Sequence, residues 1–489
     1  MKKFLSCLLA AVITIVSCTK NNGPESTEEE VNDFLQETFW DQTEVPEYEV
    51  TSEQRLTPEE MADFCFGADE NIDSDILEAK TEFLKQCGEV QKELQKEDPD
   101  NQVLFVKASF HYTTVHHWKD QRALLSGFLA YACDIDGDPI EQEHIIFCCP
   151  YTHTLESECA TESNGGKEFL TFFSQNLFIM PDGYGFGETK DHTQTYLLHN
   201  IRSRQYYDAL IAGYHAYTVK YKGKMKSDWT LRVIGASQGA GDAMALHKFL
   251  DTKYQQWNLT KYYEEGKGAE ADRLCQKYGY PTGSIFIEVP LRDVHKFEHS
   301  FVCSGPYCPE ATMQAYHEWK EMSYPCVIPL VIKSMKDCTH GLDDYEEYEF
   351  FSGLWDNNKA DLDKIYLEKT MKSFDLNFYL CEKLGHRKDP YSEIPMLPLD
   401  AILSKAMGES DSGIYKALMA CLKEQDLTSG WTPKTRSKIM YTKKDEVVPW
   451  VNSQKLIKLF KDSHCKYDEI ISKKSDHVSC CTEFVKKKW

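Results

Sequence analysis

The apolar run Leu231-Arg232-Val233-Ile234 leads directly into Gly235-Ala236-Ser237-Gln238-Gly239, and a helix-like stretch from Gln238 to Asp251 follows at once. A chain that passes from strand to helix over so few residues must turn tightly. The positions two before and two after the serine must then be tiny, because a larger side chain would strike the opposite arm of the turn. Such a turn holds a serine hydroxyl above the end of a sheet and aims the next backbone N–H at the same space. The pattern predicts a nucleophilic Ser237, with the Gln238 N–H as one donor to a developing oxyanion. Ala240 and Gly241 continue the small-residue requirement.

The surrounding sequence supplies a sheet. Val103-Leu104-Phe105-Val106, Leu124 to Cys133, Ile145-Ile146-Phe147-Cys148-Cys149 and Phe178-Ile179-Met180 are rich in strand formers, and Ile285-Phe286-Ile287-Glu288-Val289 and Ile439-Met440-Tyr441 continue the series. Continuous apolar runs of this kind mark strands buried on both faces of a parallel sheet. Helix-like stretches such as Ser203 to Tyr221 lie between them. The expected class is α/β, a mainly parallel sheet flanked by helices. Residues 296–430 break the alternation: they are mostly helix-like and imply a cap inserted over the sheet's carboxyl edge. Thr57-Pro58-Glu59-Glu60 reads as a helix start. The expected plan is a leader over 1–17, a tether over 18–50, a helical extension over 51–100, a sheet domain over 101–295 and 431–489, and the cap between.

A serine nucleophile needs a base, and the base needs an acid to orient it. His477 follows the short strand candidate Tyr467-Asp468-Glu469-Ile470-Ile471, and Asp445 follows the strand that ends near Tyr441, with the helix-like Asn452 to Phe460 between. Strand, acid, helix, strand and histidine thus follow in order. Glu446 and Asp476 are neighbouring carboxylates, but the strand-to-helix turn favours Asp445. A second oxyanion donor is expected in the loop Pro150-Tyr151-Thr152-His153-Thr154, from Thr152 or a neighbouring backbone N–H.

These segments, together with Pro181-Asp182-Gly183-Tyr184-Gly185-Phe186-Gly187-Glu188-Thr189, resemble secreted α/β-hydrolase esterases and lipases, especially the secretory-lipase type, over roughly residues 101 to 489. The resemblance implies a helical cap over a pocket and hydrolysis of a carboxylic ester through an acyl-enzyme, without cofactor or metal. The chain departs from many hydrolases in its Cys-Pro-Tyr-Thr-His-Thr loop, where they carry a glycine-rich oxyanion motif. Gly183-Tyr184-Gly185-Phe186-Gly187 is not a dinucleotide fingerprint, and no P-loop is present. A peptidase of the same fold is the rival, with Asp343-Asp344 and Glu346-Glu347 of the cap as candidates to hold a substrate N-terminus. A binding lipoprotein on an inactive scaffold is the third reading.

The N-terminus predicts the compartment. Lys2-Lys3 precede an apolar run from Phe4 to Val16, too short to cross a hydrocarbon core of about 30 Å. The run ends in Ile15-Val16-Ser17-Cys18, which resembles the lipobox of bacterial lipoproteins and makes Cys18 the expected lipidation site. An exported protein held to the cell envelope by its lipid is therefore expected. Charged residues are 27% and aromatics 12% of the chain, as in ordinary globular proteins. A net charge of −23 repels phosphates and argues against a nucleic-acid partner. The Lys486-Lys487-Lys488 end reads as a solvated terminus. Of 18 cysteines, Cys7 leaves with the leader. Cys303 and Cys308, which flank Ser-Gly-Pro-Tyr, are candidates to close a small disulfide loop, and the lack of paired C-x-x-C motifs argues against zinc.

Overall fold

The computed structural model describes residues 42–67, 74–115, 122–162, 175–384 and 396–485, with backbone alone for 74–76. The leader, Cys18, the tether up to residue 41 and Lys486–Lys488 lie outside the described residues. Among those described, no helix is long and apolar enough to cross a membrane. The chain separates into two compact units, one of residues 1–42 with 256–288, the other of 43–255 with 289–489. In the first, helices Thr260–Glu264 and Gly268–Lys277 are joined by a Tyr263 hydroxyl that donates to Asp272 at 2.8 Å.

The strands are β1 (Tyr48–Leu56), β2 (Leu104–Val115), β3 (Arg122–Cys133), β4 (Gln142–Cys149), β5 (Asn176–Pro181), β6 (Met225–Ala236), β7 (Tyr254–Asn258), β8 (Phe286–Pro290), β9 (Phe297–Cys303), β10 (Glu321–Met322), β11 (Leu397–Pro398), β12 (Arg436–Tyr441) and β13 (Tyr467–Ile471). Nine form one sheet in the order β1-β2-β3-β5-β4-β6-β9-β12-β13. From β5 to β13 every neighbouring pair is parallel, and β1, β2 and β3 add an antiparallel edge. The principal helices are α1 (Pro58–Phe66), α2 (Ser74–Glu97), α3 (His199–His215), α4 (Gln238–Thr252), α5 (Pro309–Trp319), α6 (Val327–Cys338), α7 (Gly413–Glu424), α8 (Val451–Asp462) and α9 (His477–Val485). Apolar Ile145 to Cys149 of β4 is buried throughout, as a central parallel strand requires.

Three elements differ from the sequence reading. Ile285 to Val289, expected as a core strand, gives β8, which pairs only with β7 in a separate two-stranded sheet. Its alternate residues Phe286 and Glu288 are exposed, so an apolar run there marks a strand buried on one side only. Conversely β9, inside the expected cap, lies between β6 and β12 at the centre of the main sheet. Its His299 and Ser300 are buried polar residues, and they hide a core strand from a search for apolar runs. Tyr48–Leu56 forms an edge strand where a tether and helical extension were expected. α1 does begin at Thr57, whose side chain accepts the Glu60 N–H while Glu60 returns a bond to the Thr57 N–H.

The helical insertion after β9 packs around an apolar cluster that includes fully buried Ile328, Ile332, Met335, Trp355, Leu362 and Leu418. Tyr196, Leu197 and Leu198, from the segment just before α3, join the same cluster and so tie the cap to the sheet domain.

Below the carboxyl edge, a buried polar network ties α4 to β9 and β12. His247 bridges Ser300 Oγ at 2.8 Å and Asp251 at 3.1 Å, and Asp251 also accepts the Thr435 hydroxyl at 2.6 Å and the N–H groups of Lys434 and Thr435. Burial would raise the Asp251 pKa, but His247 and these donors outweigh it and hold the carboxyl well below its usual range. A depressed folded pKa contributes stability that is present above about pH 4 and is lost as pH falls toward the folded value. Asp251→Ala is expected to lower the unfolding free energy by about 3–5 kcal/mol in urea titrations at neutral pH, because it orphans buried donors. A loss below about 1 kcal/mol would contradict this account of the network.

Candidate active site

The parallel strands all end on one edge. Register pairs Cys149 with Gly235, Ala236 with Cys303, and Met440 with Cys303, so the residues following β4, β6, β9 and β12 emerge side by side. Ligands of open α/β sheets bind at such carboxyl edges.

The turn after β6 places Ser237 at φ 54° and ψ −126°, a left-handed conformation that costs a non-glycine residue of order 1–3 kcal/mol. Its N–H donates to the Cys303 carbonyl at 2.9 Å, which fastens the turn to β9. A Cβ at Gly235 would lie 2.1 Å from the Gly239 carbonyl oxygen, and one at Gly239 would lie 2.2 Å from the Cys149 carbonyl oxygen. Backbone thus meets backbone on both sides of the serine. Behind the turn, Arg202 and Asp242 form a buried ion pair at 2.9 Å.

Asp445 and His477 reach Ser237 from the last two strands. The Asp445 Oδ1 accepts the N–H groups of Val447 at 3.0 Å and Val448 at 2.7 Å, which orients the carboxylate. Its two oxygens lie 3.0 and 2.8 Å from His477 Nδ1. His477 Nε2 lies 2.9 Å from Ser237 Oγ. Asp476 caps the start of α9 by accepting the Ser479 N–H at 2.8 Å, and Glu446 accepts the His477 backbone N–H at 3.0 Å. Those two carboxylates hold the histidine's backbone, and Asp445 faces its ring. The cap joins in: Tyr316 of α5 donates its hydroxyl to the Val447 carbonyl at 2.6 Å. Burial pushes the imidazole pKa down, but the Asp445 carboxylate, with Cys481, outweighs it and holds His477 well above the usual histidine range.

Ser237 and His477 open into a cavity of about 520 Å³. Its walls include Thr152, Tyr196, Met313, Tyr316, Val327, Val331, Leu422, Val448 and Cys481, and no Asp, Glu, Lys or Arg among the described residues lines it. Gln238 lies on the same wall. Thr152 is there too, with its hydroxyl bonded to Tyr196 at 3.1 Å, so an oxyanion role would fall to its backbone. The carboxylates weighed for a peptidase stand elsewhere: Asp343 pairs with His340, and Glu347 with Lys333 and Lys359. The glycine-rich run spends its amides internally, Gly185 on Thr189 and Gly187 on Glu156, which leaves those groups no phosphate to bind. Among the described residues no group of three or more His, Cys, Asp or Glu gathers to hold a metal. Cys303 and Cys308 are both free thiols: Cys303 faces Cys480 at 3.7 Å and Cys308 faces Lys455 at 3.5 Å, so the expected small loop is not closed.

No family profile and no curated protein matches the sequence. Solved structures do. A rice cell wall degrading esterase, LipA from Xanthomonas oryzae, superposes with a TM-score of 0.56 over 87% of this chain and 92% of its own, at 14% identity. Lipase A from Candida antarctica superposes with a TM-score of 0.50 over 88% of this chain and 77% of its own, at 9% identity. The chain has the α/β-hydrolase fold. Identities this low establish the architecture alone.

Sequence reasoning about this α/β-hydrolase-fold chain missed Tyr196, Tyr316 of the cap and Cys481. Cys481 stands four residues after His477, the spacing that puts two side chains on one helix face, and that was the available signal. Asp445→Asn is expected to shift the His477 titration to lower pH, because burial remains while the stabilising charge is lost. Nitrogen NMR of the histidine rings checks this, and an unchanged or raised value would remove Asp445 as the controlling charge. By the same sign, the charge-linked stability of wild-type His477 is present below about pH 6.5 and is lost as pH rises through the folded value.

Proposed function

We propose that this α/β-hydrolase cleaves carboxylic esters of uncharged, apolar acids through an acyl-enzyme on Ser237. One observation carries the reading: Asp445, His477 and Ser237 form an unbroken hydrogen-bonded chain that opens into a cavity lined by no Asp, Glu, Lys or Arg among the described residues. In the first step His477 Nε2 takes the Ser237 proton as Oγ attacks the ester carbonyl carbon. Asp445 holds the imidazole by Nδ1 and stabilises the imidazolium. The Gln238 N–H and a backbone donor near Thr152 receive the oxyanion. His477 then returns the proton to the departing alcohol, and a water activated by the same nitrogen releases the acid. The resemblance in architecture to an esterase and a lipase supports this reading. A peptidase that recognises a charged N-terminus fits less well, because none of Asp343, Asp344, Glu346 and Glu347 lines the cavity. The lipobox-like leader supports an envelope lipoprotein anchored through Cys18.

Hydrolysis of p-nitrophenyl esters beside aminoacyl amides tests the reading. Neutral acyl esters are expected to be cleaved, with Ser237→Ala about 10⁴-fold slower or worse in kcat. The kcat/KM is expected to rise with pH through an apparent pKa above 6.5, since the base form of His477 is required. A faster reaction on aminoacyl amides would favour the peptidase, and equal rates in wild type and Ser237→Ala would end the serine-hydrolase reading.

A further inference from the structure

His477 and Cys481 lie four residues apart on α9, one turn above the other on the same face. Cys481 Sγ is 3.8 Å from His477 Nε2, the nitrogen that lies 2.9 Å from Ser237 Oγ. The thiol also lines the catalytic cavity. Among the free cysteines, Cys465 and Cys481 alone are not fully buried. Behind Cys481 sits Cys303 at the end of β9, 3.7 Å from Cys480 and near enough to Cys481 for the two thiols to shift each other's titration. The nucleophile's turn hangs from that same residue, through its carbonyl.

We propose that Cys481 is a second reactive nucleophile of this cavity, a thiol that a hydroperoxide oxidises and Cys303 then captures as a disulfide, switching the hydrolase off. The loss of activity rests on the Ser237 reading; the thiol chemistry does not. The neighbouring Cys303 thiol and the nearby imidazolium outweigh burial and hold the Cys481 thiol below the ordinary thiol range, which favours the nucleophilic thiolate. Burial pushes Cys465 up to about 11 and Cys303 well above the ordinary thiol value, so neither competes.

In the first step the Cys481 thiolate attacks one peroxide oxygen. An S–O bond forms, the O–O bond breaks, and the departing oxygen takes a proton to leave as water or an alcohol. Cys481 has become a sulfenic acid, oxidised by two electrons, and the peroxide has been reduced by two. Cys303 sulfur then attacks Cys481 sulfur, the S–O bond breaks, and the hydroxyl leaves as water with the Cys303 proton. Two thiols and one hydroperoxide thus give a disulfide, one water, and one alcohol or second water. An S–S bond of about 2.05 Å draws Cys481 toward β9, and with it the first turns of α9 that carry His477. The base then no longer meets Ser237 Oγ.

The test treats the full chain with hydrogen peroxide at neutral pH. Expected are a mass loss of two hydrogens, a Cys303–Cys481 linked peptide in a non-reduced digest, and ester hydrolysis reduced at least tenfold and restored by dithiothreitol. In Cys303→Ala, dimedone is expected to trap a sulfenic acid on Cys481. Cys481→Ala, scored against its own untreated rate, is expected to keep its activity under peroxide. Oxidation that maps to other cysteines, or an equal fractional loss in Cys481→Ala, overturns the proposal. A chain that forms the Cys303–Cys481 bond but hydrolyses no ester before treatment sinks the hydrolase reading and the switch, and leaves the thiol assignment standing.

Discussion

The backbone contact around Ser237 is the constraint on which the site depends. Gly235 and Gly239 let β6, the start of α4 and the end of β4 approach so closely that no side chain fits between them. The approach holds Ser237 in a left-handed conformation that it would leave if freed. The strain, of order 1–3 kcal/mol, is held in place by the Ser237 N–H bond to Cys303 and by the buried sheet below. A turn fixed in this way sets Ser237 and Gln238 on one wall of the cavity, and the proposed chemistry would need no further ordering of that turn. Such preorganisation is where most of an electrostatic catalytic advantage resides.

The second dependence is electrostatic. Asp445 is buried, oriented by two backbone N–H groups, and faces a histidine that is itself only 5% exposed. A charge that would be screened in water acts strongly there. Among the described residues the cavity beyond is lined by no other carboxylate and by no Lys or Arg, so the carboxylate's influence falls on His477 and on the Cys481 thiol beside it. The cap contributes to this arrangement directly, because Tyr316 grips the loop that carries Asp445. Placement of the cap and orientation of Asp445 are therefore linked through one connected set of contacts.

The steric and sequential parts of this design were legible in the sequence. Gly235-Ala236-Ser237-Gln238-Gly239 between a strand and a helix is a local requirement, and the order of β12, Asp445, α8, β13 and His477 follows chain direction. What was not legible depends on partners far apart in sequence. β9 carries the buried polar pair His299 and Ser300, and the hydrogen-bond partners of Ser300 are His247 and Ser437 on other elements, so composition concealed a central strand. β8 has the apolar run of a core strand, but its partner β7 lies in a small separate sheet. Cys303 was matched with Cys308 by nearness along the chain, whereas the fold sets it against Cys480, 177 positions away.

The most direct test of the central claim is covalent labelling with a fluorophosphonate, read by peptide mass mapping. An activated serine in the strained turn is expected to carry the phosphonyl group on the peptide that contains Ser237. The adduct should be absent from Ser237→Ala and strongly slowed in a folded His477→Ala. Absence of label from folded wild-type protein, or label that persists on Ser237→Ala, would contradict the account.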